Sequence, residues 1–349
     1  MTEQLPRLGV GFITYGNLTA AYLPSFLESL AAQTYKNFRL VAFDNTPEED
    51  NENIHILKQF SQLSQYSQVE IIRRGDNLGF GKAYNIMLNQ AVGLGDKYFL
   101  MINPDTLCEP DMLEKLVLAL ESDESLSSVS PKIKVWDFHN KLKTEILDTC
   151  GLVLKPGLRF IDLGQAEIDN GQYDQASIIG PSGAAGLFRL SSLVEEANKN
   201  IKDNQEDSQE ESQGKKQEES NKEVNELQFF DENFFMYKED CDLVYRLHLA
   251  GFSSKLISEA VVYHDRTSTG GSLFKRAINR LGRSPEARRQ AFLGQHFLWI
   301  KYWGRQSWFN KIFIIWQATL RFFAVLLFEQ NLLSSYLTIK KTAKHLKRY

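Results

Sequence analysis

The chain has 349 residues, of which 43% are hydrophobic and 24% charged, enough for one large globular core with an appendage. Its three cysteines are too few and too scattered for a disulfide framework or a zinc site: Cys108, Cys150 and Cys241. We therefore expect a reducing, cytoplasmic location, and the residues near Met1 show no apolar run long enough for a signal peptide.

Charge is unevenly distributed along the chain. Residues 1–264 contain 24 Lys and Arg against 41 Asp and Glu, whereas residues 265–349 contain 16 against 3. Such a split predicts a basic appendage that meets an anionic surface, either nucleic acid or phospholipid headgroups.

Strand and helix patterns alternate over the first hundred residues. Short apolar runs predict strands, and apolar residues at helical spacing predict the helices between them. The strands are Leu8–Ile13, Phe38–Phe43, Val69–Ile72 and Tyr98–Ile102, and the helices are Leu23–Gln33, Ile54–Leu63 and Ala83–Ala91. This alternation predicts an α/β fold with a mostly parallel, Rossmann-like sheet and helices on both faces.

The fourth strand, Tyr98–Ile102, is apolar throughout, as expected for a strand buried on both faces. Pro104 ends its ladder, so Asp105 follows a strand end, where open α/β sheets bind ligands. Polar residues also follow the first two strands: Thr14, Tyr15 and Asp44. Each alone fits an ordinary polar turn, but together they predict a nucleotide site.

Strand patterns dominate residues 128–179, and two unusual segments follow. The loop Gly180–Gly186 is dense in small residues, so it is either a plain connection or a place of close backbone approach to a ligand. Residues 195–226 contain 11 acidic and 5 basic residues and no aromatic residue. That composition predicts a disordered acidic insertion.

A helix is predicted from Glu239 or Asp240 to Gly251, with Asp242 and Arg246 four residues apart and able to pair. Carboxylates in a first helical turn either complement the helix dipole or carry chemistry. His264 ends the next predicted strand, where it is either a packed residue or a ligand.

The tail, residues 271–349, is predicted to be helical, basic and aromatic. Its apolar stretch Ile312–Phe328 is short for a membrane span, and the central Arg321 would cost about 2.5–3.5 kcal/mol on insertion. We expect helices lying on the inner face of the cell membrane; a spanning helix and a core or dimer helix are the alternatives. We expect no nucleic acid, because the aromatic residues cluster with aliphatic ones.

Common nucleotide and hydrolase motifs are missing from the sequence. Gly79-Phe80-Gly81-Lys82 is not a P-loop, because Ala83 stands where Ser or Thr would bind magnesium. No Gly-x-Gly-x-x-Gly follows the first strand, and no Gly-x-Ser-x-Gly is found. These absences argue against a dinucleotide dehydrogenase and an α/β-hydrolase.

Six motifs in chain order resemble family 2 glycosyltransferases, most closely the rhamnosyltransferase-like branch. They are Phe12-Ile13-Thr14-Tyr15, Leu27-Glu28-Ser29-Leu30 with Gln33-Thr34-Tyr35, Val41-Ala42-Phe43-Asp44-Asn45, Asn77-Leu78-Gly79-Phe80-Gly81, Asn103-Pro104-Asp105-Thr106 and Glu239-Asp240-Cys241-Asp242-Leu243. The resemblance covers residues 8–270 outside the insertion, so we expect a transferase domain over residues 1–270. It implies a GT-A fold and inverting transfer of a sugar, such as rhamnose from dTDP-rhamnose, to a hydroxyl of a lipid-linked or cell-surface glycan.

The same resemblance implies residue roles. Asp44 would contact the nucleotide base, and the rest of the nucleotide sugar would lie near Thr14, Tyr15, Asn77, Gly79 and Asn103. Asp105 and His264 would bind the metal, Mg²⁺ or Mn²⁺, together with the diphosphate. Asp240 would be the catalytic base, and the acceptor side would be shaped by Glu239, Asp242 and Arg246.

One departure from the family pattern concerns the metal motif. Asn103 stands where the motif has its first Asp, which leaves Asp105 as the carboxylate there. Magnesium often takes just one or two protein carboxylates and binds substrate phosphates as well, so a cation still fits. Two other classes stay open: a non-catalytic scaffold that binds sugar nucleotides, and a nucleotidyltransferase.

Overall fold

The structure is a computed structural model that describes residues 5–63, 69–199, 226–265 and 284–346. The strands in these ranges are β1 (Leu8–Thr14), β2 (Phe38–Asp44), β3 (Val69–Arg73), β4 (Tyr98–Ile102), β5 (Thr106–Cys108), β6 (Leu126–Asp137), β7 (Leu142–Thr149), β8 (Leu152–Lys155), β9 (Arg159–Asp162), β10 (Ala185–Arg189) and β11 (Ser253–His264). The helices are α1 (Gly16–Ala20), α2 (Leu23–Ala31), α3 (Glu52–Leu63), α4 (Gly79–Gly93), α5 (Met112–Ser122), α6 (190–199), α7 (Glu239–Leu249), α8 (Pro285–Lys301), α9 (Trp308–Phe328) and α10 (Ser335–Thr342).

One nine-stranded sheet organises the molecule, in the order β3-β2-β1-β4-β10-β6-β11-β5 with β7 paired to β6. The first four of these strands are parallel, as predicted. Beyond β4 the sheet is mixed rather than mostly parallel, because β10 runs antiparallel to both β4 and β6. This reversal brings the loop before β10 to the carboxyl end of β4, where the predicted site lies.

The strand β4 is buried along its whole length, which confirms the prediction from its apolar run. Its side chains alternate between two hydrophobic layers. Tyr98, Leu100 and Ile102 pack with α2, α3 and α5 on one face, while Phe99 and Met101 pack with α4, α7 and α8 on the other. Because both faces are covered by helices, ligands can reach this strand at its end.

Helix α8 belongs to the core, which corrects the predicted boundary between a transferase domain and a separate tail at residue 271. Ser284 caps the helix by accepting a hydrogen bond from the Ala287 N–H, and Pro285 fits its first turn. Phe292 and Leu298 are at most 2% exposed. The sequence did not indicate that this helix is buried, because aromatic, basic and polar residues alternate along it without a clear apolar face.

The basic end of α8 is buried by pairing with carboxylates. Lys301 is 1% exposed, and its Nζ lies 2.7 Å from Asp231 Oδ2 and 2.8 Å from Asp242 Oδ1. Asp242 also accepts hydrogen bonds from the Tyr302 hydroxyl and the Arg246 guanidinium. A lysine that would otherwise suggest a solvated face therefore joins α8 to α7.

The first residues of the predicted acidic insertion belong to a helix. Residues 195–199 continue α6, and Glu196 is 3% exposed and paired with the Arg246 guanidinium. Most of the predicted insertion, residues 200–225, lies outside the described residues. Ala197 is also buried, which explains why this end of the segment is held against the core.

Helix α9 presents a broad apolar surface to solvent. Within the described ranges it is the one helix whose length and composition would allow it to cross a membrane. Trp308 is 75% exposed and Phe328 is 80% exposed, while Ile314 and Val325 are buried against the core. The helix therefore packs along one side and leaves its other side uncovered by the described residues.

The contact between α8 and the start of α7 can be tested with two helical glycines. A Cβ on Gly294 would lie 2.6 Å from the Tyr237 carbonyl oxygen, whereas a Cβ on Gly93 would meet nothing within 4 Å. We expect Gly294→Ala to lower the free energy of unfolding by about 1–3 kcal/mol through overpacking. Gly93→Ala should raise it by up to about 1 kcal/mol. Urea denaturation of both variants measures this; equal stability of the two would contradict the packing described.

Candidate functional site

The carboxyl ends of β1 and β2 meet at Thr14 and Asp44, which are partners in the strand register. The Thr14 hydroxyl donates to Asp44 Oδ1 at 2.9 Å, and Asp44 is 1% exposed. Asp44 Oδ2 accepts from Asn51 Nδ2 and Arg73 Nε, both at 2.9 Å. Asp44 is thus held rigidly at the strand ends, and its contact with a nucleotide base stays a prediction.

Tyr15 and the turn before α4 lie next to this pair. Tyr15 is 51% exposed, so its ring is accessible to a ligand. The Gly79 N–H donates to Asn77 Oδ1 at 2.9 Å, and the Gly79 carbonyl accepts from Asn45 Nδ2 at 3.0 Å. Gly79 has a φ of +76°, and a Cβ there would collide with the Phe235 carbonyl oxygen. The position therefore requires glycine. The turn is held to the end of β2 by Asn45 and packs closely against Phe235, in the segment before α7.

The loop Gly180–Gly186 joins the end of β4 to the predicted base. The Gly183 N–H donates to Asp240 Oδ2 at 2.9 Å, and the next residue, Ala184, accepts from the Asn103 N–H at 2.9 Å. Asp240 Oδ1 accepts from the Cys241 N–H at 2.7 Å. Two backbone donors thus fix the carboxylate plane of Asp240. The same loop is bonded to Asn103, which lies two residues before Asp105. The small-residue run gave a signal for this loop, but its partner could not be predicted.

The chain enters α7 through two residues in the left-handed region. Tyr237 has a φ of +68° and Lys238 a φ of +78°. Non-glycine residues are uncommon in this region, and such strain often lies at functional sites. The sharp entry places Glu239 in the interior and turns Asp240 toward Gly183.

Glu239 is a buried acid beside the predicted base. It is 6% exposed, and its Oε2 atom is buried without a hydrogen-bond partner. Burial, with a further contribution from the negative charge of Asp240, raises the pKa of Glu239 to about 8. Burial therefore favours the protonated, uncharged form of Glu239 beside Asp240.

Asp242 and Arg246 were predicted to shape the acceptor side, and the structure places both in the interior. They are 0% and 3% exposed and pair with each other at 3.0 Å. Their other partners are Lys301, Tyr302 and Glu196. Both residues are thus held in the interior by these pairs, where they position α7. Their predicted part in shaping the acceptor side stays a prediction.

Asp105 and His264, the two residues that the resemblance assigned to the metal, lie next to each other. His264 Nε2 lies 3.3 Å from Asp105 Oδ1, which is buried and has no hydrogen-bond partner. His264 Nδ1 lies 2.8 Å from Asp148 Oδ2. Burial lowers the pKa of His264, but Asp105 and Asp148 outweigh that effect and raise it to about 10.

These residues fit a divalent cation that takes some of its ligands from the protein and the others from a substrate. A carboxylate that accepts from Nδ1–H orients Nε2 as the ligand atom, as it does in many metal-binding histidines. Because the pKa of His264 is raised to about 10, a cation would bind Nε2 by displacing its proton. Asp148 supplies that carboxylate and is 1% exposed; it lies in no motif, so the sequence did not predict it. Among the described residues no group of three or more His, Cys, Asp or Glu is placed to hold a metal. A cation here would need further oxygen ligands, which a diphosphate can supply.

The chain is similar to known proteins in sequence and in fold. The model of a family described as "Glycosyl transferase family 2" matches residues 10–193. A Haemophilus influenzae protein described as "Uncharacterized glycosyltransferase" is 28% identical over 133 residues, which are 38% of this chain and 38% of that protein. The crystal structure of GalNAc-T7 with UDP, GalNAc and Mn²⁺ is similar with a TM-score of 0.53 at 12% identity. That likeness covers 86% of this chain and 51% of GalNAc-T7 and concerns the fold.

The buried proton of Glu239 predicts a pH dependence of stability. A carboxyl whose pKa is raised on folding favours the folded state at low pH, and this stabilisation is lost as pH rises from about 4.5 to about 8. Glu239→Gln should remove the loss. The stability of the variant relative to wild type should rise with pH by up to about 1.4 kcal/mol per unit. Urea denaturation from pH 5 to 8 tests this, with the exposed Glu232→Gln as control; parallel curves for Glu239→Gln and wild type would contradict it.

Proposed function

This chain belongs to glycosyl transferase family 2 and has the GT-A fold, and from this we propose that it moves a sugar from a nucleoside-diphosphate sugar to an acceptor hydroxyl with inversion. One observation carries the proposal: the loop Gly183–Ala184 links the carboxylate of Asp240 to the β4 end that carries Asp105. A base and a diphosphate-binding turn thus lie at one site.

The donor would lie along the carboxyl ends of the parallel strands. The nucleotide would be bound by Thr14, Tyr15, Asp44, Asn77 and Gly79, which surround the ends of β1 and β2. The diphosphate would then reach the turn of Asn103 and Asp105. Mg²⁺ or Mn²⁺ held by Asp105 and His264 would neutralise the charge that develops on the departing diphosphate.

Asp240 acts on the acceptor in this proposal. Its carboxylate takes the proton of an acceptor hydroxyl while that oxygen bonds to the anomeric carbon. The bond from the anomeric carbon to the diphosphate oxygen breaks on the opposite face, so the configuration inverts. The neutral state of Glu239 supports this role, because a second carboxylate charge beside Asp240 would repel the developing alkoxide.

We propose rhamnose, carried as dTDP-rhamnose or a similar nucleotide sugar, as the transferred group. The support is the resemblance of the motifs to the rhamnosyltransferase-like branch, including Asn103 in place of the first metal-motif Asp. The acceptor would be a lipid-linked or cell-surface glycan, which agrees with the apolar surface of α9.

We also propose that the protein is cytoplasmic and binds the inner face of the cell membrane peripherally. The helix α9 contains Lys311 and Arg321 and no acidic residue. Its exposed aromatic residues and these cations fit the headgroup region of an anionic bilayer. The packed side of α9 supports a helix that lies on the membrane rather than one that crosses it.

The proposed base can be tested by removing its charge. Asp240→Asn keeps the size of the side chain but cannot take a proton, so transfer should fall by at least about 100-fold, the range of general-base contributions. Donor binding, measured by calorimetry, should stay within about two-fold. Glu232→Asn serves as the control. Unchanged turnover of Asp240→Asn would refute this role, while pyrophosphate release from a nucleoside triphosphate would favour a nucleotidyltransferase.

Membrane binding can be tested in the full chain by replacing three exposed residues of α9 with serine. Full burial of such a side chain contributes about 1.5–3 kcal/mol, so partial insertion of three should give at least about ten-fold affinity. The variant Trp308→Ser, Phe309→Ser, Trp316→Ser should therefore lose sedimentation with anionic vesicles. Replacing the exposed residues Leu118, Ile168 and Leu249 with serine should not affect it. Equal binding of the two triple variants would count against α9 as the anchor.

A further inference from the structure

A groove lies between α8 and α9. It has a volume of about 500 Å³ and is lined by His296, Trp299, Ile300, Trp303, Ile315 and Ala318, among others. That volume is within the range of small-molecule sites, which run from about 300 to 1,000 Å³. The role proposed above for α9, contact with a bilayer surface, does not require a concave site.

The residues that line this groove include no Asp, Glu, Lys or Arg, and two of their polar atoms are hydrogen-bonded to backbone carbonyls. The Trp299 Nε1–H donates to the Gly157 carbonyl at 3.0 Å, and His296 Nδ1 lies 2.8 Å from the Phe292 carbonyl oxygen. Burial lowers the pKa of His296 to about 4, so the imidazole is neutral at physiological pH. The wall therefore suits a hydrocarbon and would exclude a charged group.

The rim of the groove is positive. Lys311 Nζ lies 5.4 Å from the centre of the Trp303 ring, and the Arg321 guanidinium lies 5.4 Å from that of Trp299. Arg305 follows Trp303 and is exposed. An apolar trough with cations at its rim is complementary to a hydrocarbon chain that ends in a phosphate.

The groove is also close to the proposed base. Helix α8 packs through Gly294 against Tyr237 and Lys238, the residues just before Glu239 and Asp240. Trp299 follows Gly294 by five residues, a distance of about 7.5 Å along a helix. The groove and the segment that leads into Asp240 therefore contact the same helix.

We propose that this groove binds the hydrocarbon chain of a lipid-linked glycan acceptor, with the phosphate that joins the chain to the glycan at the Lys311 and Arg305 rim. The inference rests on the proposed function, since it names the class of acceptor used at the same site. It differs from membrane binding, because one chain enters a defined groove instead of the helix face lying on a bilayer.

The test uses a brominated chain as a quencher of tryptophan fluorescence. The full chain has five tryptophans, and Trp308→Phe with Trp316→Phe removes the two exposed ones on α9. The probe is 12-bromododecyl phosphate below its micelle concentration, which should quench the Trp299 and Trp303 emission saturably. In this background Ala318→Phe fills the groove and should weaken binding at least ten-fold. Thr319→Phe adds the same ring at the neighbouring exposed position, which does not line the groove, and should leave binding unchanged.

Further measurements distinguish this ligand from an uncharged chain, a free phosphate and a second copy of the protein. 12-Bromododecanol should bind more weakly than the phosphate, and inorganic phosphate should not displace the probe. Equal quenching in Ala318→Phe and Thr319→Phe would overturn the proposal. So would a dimer in sedimentation velocity that Ala318→Phe dissociates, because a second copy would then fill the groove.

The outcome is independent of catalysis, because no donor is present in the binding assay. Saturable quenching together with full activity of Asp240→Asn would refute the proposed role of Asp240 as the base and leave the groove assignment intact. In active protein, Ala318→Phe should raise the KM for a lipid-linked acceptor and leave donor affinity unchanged. Loss of activity in Asp240→Asn without any saturable quenching would refute the groove assignment alone.

Discussion

The buried contact between Lys301 and Asp242 is the constraint on which the arrangement of the site depends. An ammonium and a carboxylate at 2.8 Å, both at most 1% exposed, are stable there because other groups share the charge. Asp231, Tyr302 and Arg246 complete the cluster. Removing one partner of such a buried pair typically costs about 3–5 kcal/mol, because the remaining charge is left without compensation. The cluster fixes the angle of α7, and with it the direction in which Asp240 points.

The same cluster joins the two functional surfaces of the molecule. Lys301 is the last residue of α8, and the same helix packs against α9. Helix α8 therefore supports both the apolar surface of α9 and, through Asp242, the helix that carries the proposed base. The turn at Gly157 adds a second link, since its N–H and carbonyl bond to Asn310, Trp299 and Gln317. Its hairpin, β8–β9, in turn pairs with Gly180 at the start of the loop that holds Asp240. The contacts between α9 and the loop that holds Asp240 are therefore continuous.

The sequence predicted those parts of the fold that depend on local periodicity. The four parallel strands and the helices between them follow from apolar spacing, and the burial of β4 follows from its composition. The reversal of β10 and the burial of α8 could not be predicted, because they depend on partners distant in the chain. Lys301 illustrates the difficulty: it lies 70 residues from Asp231, and by itself a lysine indicates solvent exposure. In the candidate site, the positions of Thr14 and Asp44 at strand ends follow from the same periodicity, and their roles stay predictions. Gly183 and Asp148 enter the site through hydrogen bonds that no motif indicates.

The backbone donor at Gly183 has a consequence for how the acceptor preference of such a site could change. Since an amide N–H rather than a side chain holds Asp240, replacing the neighbouring side chains does not remove that hydrogen bond. Ser182 precedes the donor and lines the same small cavity as Asp240, so a replacement there can alter the cavity while the Gly183 N–H still holds the carboxylate. In the proposed reaction, recognition of the incoming hydroxyl would thus be separable from its activation.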